Sequence, residues 1–338
     1  MSDKKKIKVF VLVAFPASNE PNYKFCEDLE RLGYDAILLG TNIKSPELNS
    51  ITKLIIVQIK LLFTAFKSIL ISNRKDIIVA RFDILAVYAI IASKLLLRKR
   101  YVIALNIMLK EKKSIRTFFK NKLYKFVMSD SKFIPTVTSK NLINLYKNLL
   151  RLEEKKFYYI NDDYGKLKNY ESEFSLGNGK IFCGGYNARD WDLMFKLAYK
   201  FPHRSFTFVM ARSNQYSKSS IPSNVDLHFD IKQEVFLDLI KQFTLIILPL
   251  IIDSSAGLIV ILAAGVMSKP VISTDTIATR EYIENHREGF LVPMNDIDSF
   301  AEKIEEVIDK PEILRIIGNS LHSRIIEMCS PENYAKKV

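Results

Sequence analysis

Two serines and a glycine stand where a predicted buried strand gives way to an apolar helix. The strand covers residues 245–248, the polar turn covers 253–257, and the helix begins at Leu258. Ser is a favoured N-cap residue, and the free backbone N–H groups of a helix N-terminus attract phosphate. Open α/β sheets hold nucleotides at such strand ends. Taken alone, the turn is explained equally well as a βα loop whose serines only cap the helix.

Polar residues also follow other predicted strands. The segment 181–192 (IFCGGYNARDWD) reads as a strand that runs into a Gly-Gly turn. Arg81 and Asp83 come after a strand that ends at Ala80, and Asn106 comes after one that ends at Leu105. A titratable pair at a strand end could act as a base or contact an acceptor phosphate.

An alternation of strands and helices along the chain must position these residues. Strands are predicted at 8–14, 35–39, 76–80, 101–105, 133–137 and 157–160, with helices between them. The polar stretch 162–179 breaks the pattern, and a second alternation follows from 180 onward. Continuous apolar strands separated by helices indicate parallel sheets that are covered on both faces. The predicted fold class is therefore α/β, with two doubly wound Rossmann-like domains.

The order of motifs from residue 246 to 295 resembles the donor-binding half of GT-B glycosyltransferases of the group 1, family 4-like superfamily. The matching segments are Leu248-Pro249, the turn 254–257, Ser268-Lys269-Pro270-Val271-Ile272, Glu281 and 288–293 (EGFLVP). The resemblance extends over about residues 157 to 325. It implies two domains that face a central cleft: an N-terminal acceptor and membrane-facing domain at 1–161, a linker at 162–179 and a donor domain at 180–328. A tail at 329–338 would return toward the first domain.

The chain departs from the usual family pattern at several functional positions. Two glutamates that many members use to contact the donor sugar and ribose fall at Ser255 and Ala263. The usual Arg and Lys of the Gly-rich turn fall at Tyr186 and Trp191. The chain is similar to a subgroup that lacks the paired glutamates. Three interpretations follow: an active transferase, a non-catalytic partner or scaffold subunit, or a nucleotide-sugar epimerase of the same fold.

The resemblance implies a hexosyltransferase, retaining and independent of metal, whose donor is a nucleotide diphosphate sugar and which needs no other cofactor. Arg189 would neutralise the diphosphate, Arg212 would be a second phosphate or nucleotide contact, and Glu281 would accept from ribose or sugar hydroxyls. The predicted donor-binding residues are Gly185, Tyr186, Asn187, Arg189, Arg212, Asp230, Ser254, Ser255, Ala256, Gly257, Leu258 and Glu281. The predicted catalytic residues are Arg189, Ser255, Arg81 and Asp83.

The composition bears on metal binding, disulfide formation and membrane spanning. The four histidines lack metal-ligand spacing, and Asp162-Asp163 is read as an exposed loop in preference to a metal site, so no metal is expected. Three widely separated cysteines indicate reduced thiols in a cytosolic protein. The segment 51–72 is apolar but carries Lys53, Lys60 and Lys67, which favours an amphipathic helix over a membrane span.

Positive charge is concentrated in the first half of the chain. The net charge is +13, and residues 1–156 hold 30 Lys and Arg against 13 Asp and Glu. Such a field attracts phosphates, anionic lipids or nucleic acid. No nucleic-acid module is recognised, so nucleic acid is not an expected partner.

A basic helix with aromatic residues is predicted at 114–127, and it favours a membrane partner over a core-packed helix with a solvated basic face. The predicted membrane and acceptor contacts are Lys99, Arg100, Lys112, Lys113, Arg116, Phe118, Phe119, Lys120, Lys122 and Lys125. The expected setting is the cytoplasmic face of a bacterial plasma membrane, where the protein would extend a lipid-linked glycan for a surface polysaccharide.

Overall fold

The computed structural model of the protein describes residues 6–14, 24–41, 51–109, 115–152, 154–213 and 221–338. Of residues 51–54 and 115–117, it describes the backbone alone. The chain forms two compact units, Met1–Asn161 together with Pro331–Val338, and Asp162–Ser330. Each unit has its own sheet and its own core.

The first unit is built on a parallel sheet with the strand order β2-β1-β3-β4-β5-β6. The strands are β1 Lys8–Val13, β2 Asp35–Gly40, β3 Ile77–Ala80, β4 Tyr101–Ala104, β5 Phe133–Val137 and β6 Tyr158–Tyr159. The helices are α1 Lys24–Arg31, α2 Ile51–Ile71, α3 Asp83–Leu95, α4 Ile115–Met128, α5 Lys140–Leu150 and, from the end of the chain, α12 Pro331–Lys337. Helix α12 packs on α1 through the edge-to-face pair Phe25–Tyr334, at 5.5 Å between ring centroids. The last residues of the chain therefore complete the core of the first unit.

The second unit has a parallel sheet with the order β12-β11-β10-β7-β8-β9. Its strands are β7 Ile181–Gly184, β8 Phe206–Met210, β9 Val225–Phe229, β10 Leu245–Leu248, β11 Val271–Thr274 and β12 Phe290–Val292. Its helices are α6 Trp191–Lys200, α7 Gln233–Gln242, α8 Leu258–Val266, α9 Thr279–Tyr282, α10 Ile297–Val307 and α11 Pro311–Met328. Helix α8 is apolar throughout and is buried except at Ile259, and Gly265 lets Ile325 of α11 approach closely. The predicted α/β fold with two doubly wound units is confirmed.

The predicted linker segment 162–179 packs on the second unit. It contains a short 3-10 helix, Gly165–Tyr170, and buries Tyr164 and Leu167 in the core beside β7 and α8. The buried Lys269 amine donates to the Ser175 carbonyl at 2.8 Å, and burial together with the Lys241 charge lowers its pKa to about 8. The lysine of the Ser268-Lys269-Pro270 motif thus fastens this segment to the domain.

Within the described residues, no helix combines the length and the apolar character that crossing a membrane requires.

Candidate functional site

The turn after β7 depends on its two glycines. Gly185 has φ +123°, and a Cβ there would collide with the guanidinium of Arg189 and lie 2.9 Å from its Cζ. A Cβ on Gly184 would lie 2.5 Å from the Phe236 ring. Only glycine combines this backbone conformation with such close neighbours.

Arg189 lies beneath this turn and is not a surface residue. Its side chain is 7% exposed, and its Nε and Nη1 donate to the carbonyls of Gly184 and Asn187, both at 2.8 Å. Burial lowers the pKa of the guanidinium to about 10, so it stays charged at neutral pH. The sequence-based expectation that Arg189 reaches the diphosphate directly is corrected, because the side chain is buried and two of its three guanidinium nitrogens hold the turn. Its charge still lies directly behind the turn.

The turn after β7 is fixed to the loop after β10. The Asp190 N–H donates to the Pro249 carbonyl and the Ile251 N–H donates to the Ala188 carbonyl, both at 3.1 Å. Ala188 has φ +58°, which bends the chain between these two bonds. The two loops therefore hold each other at the carboxyl edge of the sheet.

Helix α8 begins without a side-chain cap. Gly257 is its N-cap residue, with φ +89°, and no described side chain accepts from the first turn. Ser254 accepts instead from the N–H of Ala256, at 3.3 Å, while Ser255 and Ser254 stay half-buried. The expected serine cap is therefore wrong in detail. In this N-terminal turn the Val260 N–H already donates to the Gly257 carbonyl at 3.0 Å, so the N–H groups of Leu258 and Ile259 are the candidate donors to an external anion.

A third loop, after β11, lies at the same carboxyl edge of the sheet and is hydrogen-bonded to the loop after β10. The Asp253 carboxylate accepts from the Ile277 N–H at 2.6 Å, and Thr274 Oγ1 accepts from the Leu250 N–H at 2.8 Å. Arg280 pairs with Asp275, with Nη2 at 3.0 Å from Oδ2. Sequence reasoning placed the segment 275–281 at a strand end of the donor half but assigned no role to Asp275 or Arg280, and it missed Thr274.

Glu281 lies in the short helix α9, beyond the third loop. Its side chain is half-buried, and its backbone carbonyl accepts from Arg324 at 3.0 Å. Ala263, one of the two positions where related sequences carry a carboxylate, is fully buried in the core. That position of α8 therefore presents no group to a ligand.

The loops after β8 and β9 extend the edge on its other side. Tyr186 is 46% exposed and donates its hydroxyl to the Ile231 carbonyl at 3.0 Å. Arg212 Nε lies 3.6 Å from the carboxylate of Asp230, and its guanidinium stands over the Phe229 ring. Burial, followed by the Asp230 charge, raises the pKa of Tyr186. The predicted donor residues thus share one sheet edge, with Arg212 exposed and Arg189 buried.

In the first unit, Asp83 and Arg81 occupy different surroundings. Asp83 begins α3 and pairs with Lys120 of α4 at 3.5 Å. The Lys120 amine also lies over the ring of the buried Tyr124, whose pKa is raised by burial and by the Asp83 carboxylate. Arg81 instead stacks over the Tyr334 ring of α12 at 5.9 Å. Its contacts connect it to the terminal helix, so a role in holding that helix accounts for it.

The same sheet edge carries buried polar atoms that lack partners. Among the described residues, Asn106 Oδ1, Asn121 Oδ1 and Thr138 Oγ1 are buried without a hydrogen bond. Asn106 follows β4 with φ +52°, Thr138 follows β5, and Asn121 lies on α4 beside Lys120. Buried polar groups are nearly always satisfied, so such a group calls for water, an ion or a ligand. Sequence reasoning named Asn106 and missed the other two.

A family model of known proteins matches part of the second unit. Residues 196–310 match the family model of the group 1 glycosyl transferases. The matched segment lies within the second unit. The matched residues include the α8 N-terminus, Arg212, Asp230 and Glu281, while the turn 184–190 lies just before them.

Individual proteins share shorter or more distant similarity with this chain. The putative glycosyltransferase EpsD of Bacillus subtilis is 40% identical over 50 residues, which cover 15% of this chain and 13% of EpsD. Sucrose-phosphate synthase from Thermosynechococcus elongatus aligns with a TM-score of 0.72 at 13% identity, over 98% of this chain and 97% of that one. Anabaena HepE in complex with UDP-glucose aligns with a TM-score of 0.68 at 13% identity, over 98% of both chains. The structural similarities establish that the chain has the GT-B fold.

The predicted membrane contacts are only partly at the surface. Arg100 is buried, and its Nε and Nη2 donate to Ser72, so its assignment to a membrane surface is corrected. Lys120 is engaged by Asp83 and by the Met108 carbonyl. The exposed members are Lys99, Phe118, Phe119, Lys122 and Lys125. Lys112 and Lys113 lie outside the described residues, as does the side chain of Arg116.

Proposed function

We propose that this protein is a glycosyltransferase that moves a sugar from a nucleotide diphosphate donor to a lipid-linked glycan acceptor. The observation that carries the proposal is the uncapped start of α8, fixed to the Gly-rich turn at the carboxyl edge of the sheet. We place the reaction at the inner face of a bacterial plasma membrane, in the synthesis of a surface polysaccharide. The group 1 family match of the same unit supports the reaction class.

The diphosphate would bind at the N-terminal turn of α8. Backbone N–H groups and the helix dipole favour an anion there, and Ser254 and Ser255 offer hydroxyls beside them. The buried Arg189 adds a positive charge behind the turn after β7 without touching the ligand. Because this charge and these amides are fixed in advance, they stabilise the negative charge that develops on the leaving diphosphate. This arrangement supports a metal-independent, retaining transfer that relies on positioning.

The nucleoside would lie toward the loops after β8 and β9. Tyr186 presents an exposed ring, and Arg212 and Asp230 present charged groups close to it. HepE was solved with UDP-glucose, so UDP is the first nucleotide to test. Glu281 remains a candidate contact for the donor sugar.

The acceptor would bind at the carboxyl edge of the first unit. Asp83 is positioned there by Lys120 and can accept a proton or a hydrogen bond from an acceptor hydroxyl. Asn106, Asn121 and Thr138 supply polar atoms that have no partner among the described residues. A glycan is rich in hydroxyl groups that would satisfy them.

The second candidate function is that of a non-catalytic partner or scaffold subunit. It is favoured by the residues at the two positions of the family's paired glutamates, where Ser255 is uncharged and Ala263 is enclosed in the core. Such a subunit would keep the GT-B fold and lose nucleotide binding. Donor binding therefore distinguishes the two functions.

The test is a thermal-shift and calorimetric screen of the protein against UDP, GDP, CMP, ADP and dTDP. A transferase gives a shift with one diphosphate, since a ligand that binds only the native state raises the midpoint. Arg212→Asp should reduce this shift, because it replaces a predicted phosphate or nucleotide contact with a charge that repels the diphosphate. Ser205→Asp, at an exposed position on the opposite edge of the same sheet, should leave it unchanged. The absence of a shift with every nucleotide would favour the scaffold function.

A further inference from the structure

A row of large apolar side chains is exposed along the outer side of α2. Ile55, Ile59, Phe63 and Leu70 are 53%, 59%, 72% and 52% exposed. They recur at spacings of four and seven residues, which places them on one side of the helix. The opposite side, with Leu61, Ala65 and Ile69 buried, already packs into the first unit. The helix therefore has one apolar side for its own core and a second that the described residues leave exposed.

Basic residues accompany this row, and acidic residues do not. Lys60 and Lys67 lie among the exposed apolar residues, and Arg74 and Lys75 follow the helix. The sequence from Ile51 to Lys75 contains no Asp or Glu. The surface is thus apolar and positively charged over the length of a 21-residue helix.

The surface continues onto the neighbouring helices. The Arg98 guanidinium donates to the Leu70 carbonyl at 2.7 Å, which brings Leu97, 90% exposed, beside the end of α2. On the other side of α3, the Lys94 amine lies 4.7 Å from the centre of the exposed Phe126 ring of α4. The end of α3 therefore joins the exposed side of α2 to that of α4. We call this surface the apolar-basic face.

We propose that the apolar-basic face docks the protein on an anionic lipid bilayer, with the exposed side of α2 inserted at the interface. This inference rests on the proposed function and adds to it the surface that meets the membrane. Charge complementarity determines the occupant, because an anionic leaflet neutralises the lysines while the acyl region takes up Ile59 and Phe63. A second copy of the same face would bring like charges together. Sequence reasoning placed the contact on α4, whereas α2 supplies more of the exposed apolar surface.

The test is co-sedimentation of the full chain with vesicles of phosphatidylcholine, with and without phosphatidylglycerol. The variant is Ile59→Ser with Phe63→Ser, which keeps every charge. The matched control is Tyr199→Ser with Ile316→Ser, at two apolar residues of the second unit that are 55% and 58% exposed. We expect binding to the anionic vesicles alone, a loss of at least tenfold in the α2 variant and no change in the control. Circular dichroism and the nucleotide thermal shift should be the same in all three proteins.

Two results would overturn the inference. One is equal vesicle binding by the α2 variant and the control. The other is a dimer in light scattering that the α2 variant converts to a monomer, which would assign the face to a second copy of the chain. Because the nucleotide shift is measured on the same preparations, failure of vesicle binding with an intact shift rejects the docking face and leaves the donor site standing. Vesicle binding without any nucleotide shift would reject the transferase and keep the docking face.

Discussion

Replacement of Gly185 by Ala tests how tightly the candidate donor site is built. The added Cβ would meet the guanidinium of Arg189, which cannot swing into solvent because two of its nitrogens are bonded to Gly184 and Asn187. Relief of the collision requires at least one of these charge-assisted bonds to break, at about 1.5–3 kcal/mol each. The residue must also adopt φ +123°, which costs a non-glycine residue about 1–3 kcal/mol.

Gly179→Ala provides the matched control in the same unit. Gly179 has φ +76°, and a Cβ there would have nothing within 4 Å. Gly179→Ala therefore lowers the free energy of unfolding only through the strained backbone conformation. The difference between the two variants isolates the collision with Arg189, and we expect it to be about 2–3 kcal/mol.

Urea unfolding of both variants, followed through the transition of the second unit, measures this difference. Nucleotide affinity should fall with Gly185→Ala and stay unchanged with Gly179→Ala, since only the first displaces the turn. A double variant, Gly185→Ala with Arg189→Met, removes the colliding group and should show a favourable coupling energy. If Gly185→Ala costs no more than Gly179→Ala, the buried position of Arg189 beneath the turn is refuted.

Three further predictions concern other buried or paired groups. The pKa of Lys269 is lowered to about 8 in the folded protein, so the unfolded chain binds more protons above that pH. Stability should therefore rise by about 1 kcal/mol from pH 8 to 9 in the wild type, whereas calorimetry of Lys269→Met should show no such rise. Asp83→Asn removes the ion pair with Lys120 and should lower kcat/KM for the acceptor about tenfold without changing nucleotide affinity. Asp226→Asn, at an exposed carboxylate, is its control, and an unaltered kcat/KM for Asp83→Asn would exclude Asp83 from the acceptor site. Cys183 is fully buried, and burial raises the pKa of its thiol to about 12, so Ellman's reagent should label it only after unfolding. Rapid labelling of Cys183 in the native protein would contradict this packing.

Local sequence patterns were sufficient to predict most elements. Strands β5 and β10 have the predicted boundaries, 133–137 and 245–248, because apolar runs there end at polar turns. Helix α3 begins at Asp83, directly after Phe82 at the N-cap position. These features depend on neighbours close in the chain, which is why the sequence carries them.

The surroundings of the charged side chains could not be predicted in this way. Arg100 is 28 residues from Ser72, whose hydroxyl and carbonyl hold its guanidinium, so its burial depends on how α2 meets β4. Arg81 lies against Tyr334 from the opposite end of the chain. A Lys or Arg in a basic segment gives the same sequence pattern whether its side chain faces solvent or is hydrogen-bonded inside the protein.

The sequence by itself determined the two α/β units, the strand ends that carry polar residues and the similarity to group 1 glycosyltransferases. The tertiary structure alone decided that Gly257 takes the N-cap position of α8, that Arg189 supports the Gly-rich turn from below and that the described residues leave the side of α2 bearing Phe63 exposed. The physical reason is that periodicity and propensity act over a few residues. Burial and hydrogen-bond satisfaction depend on contacts between segments far apart in the chain.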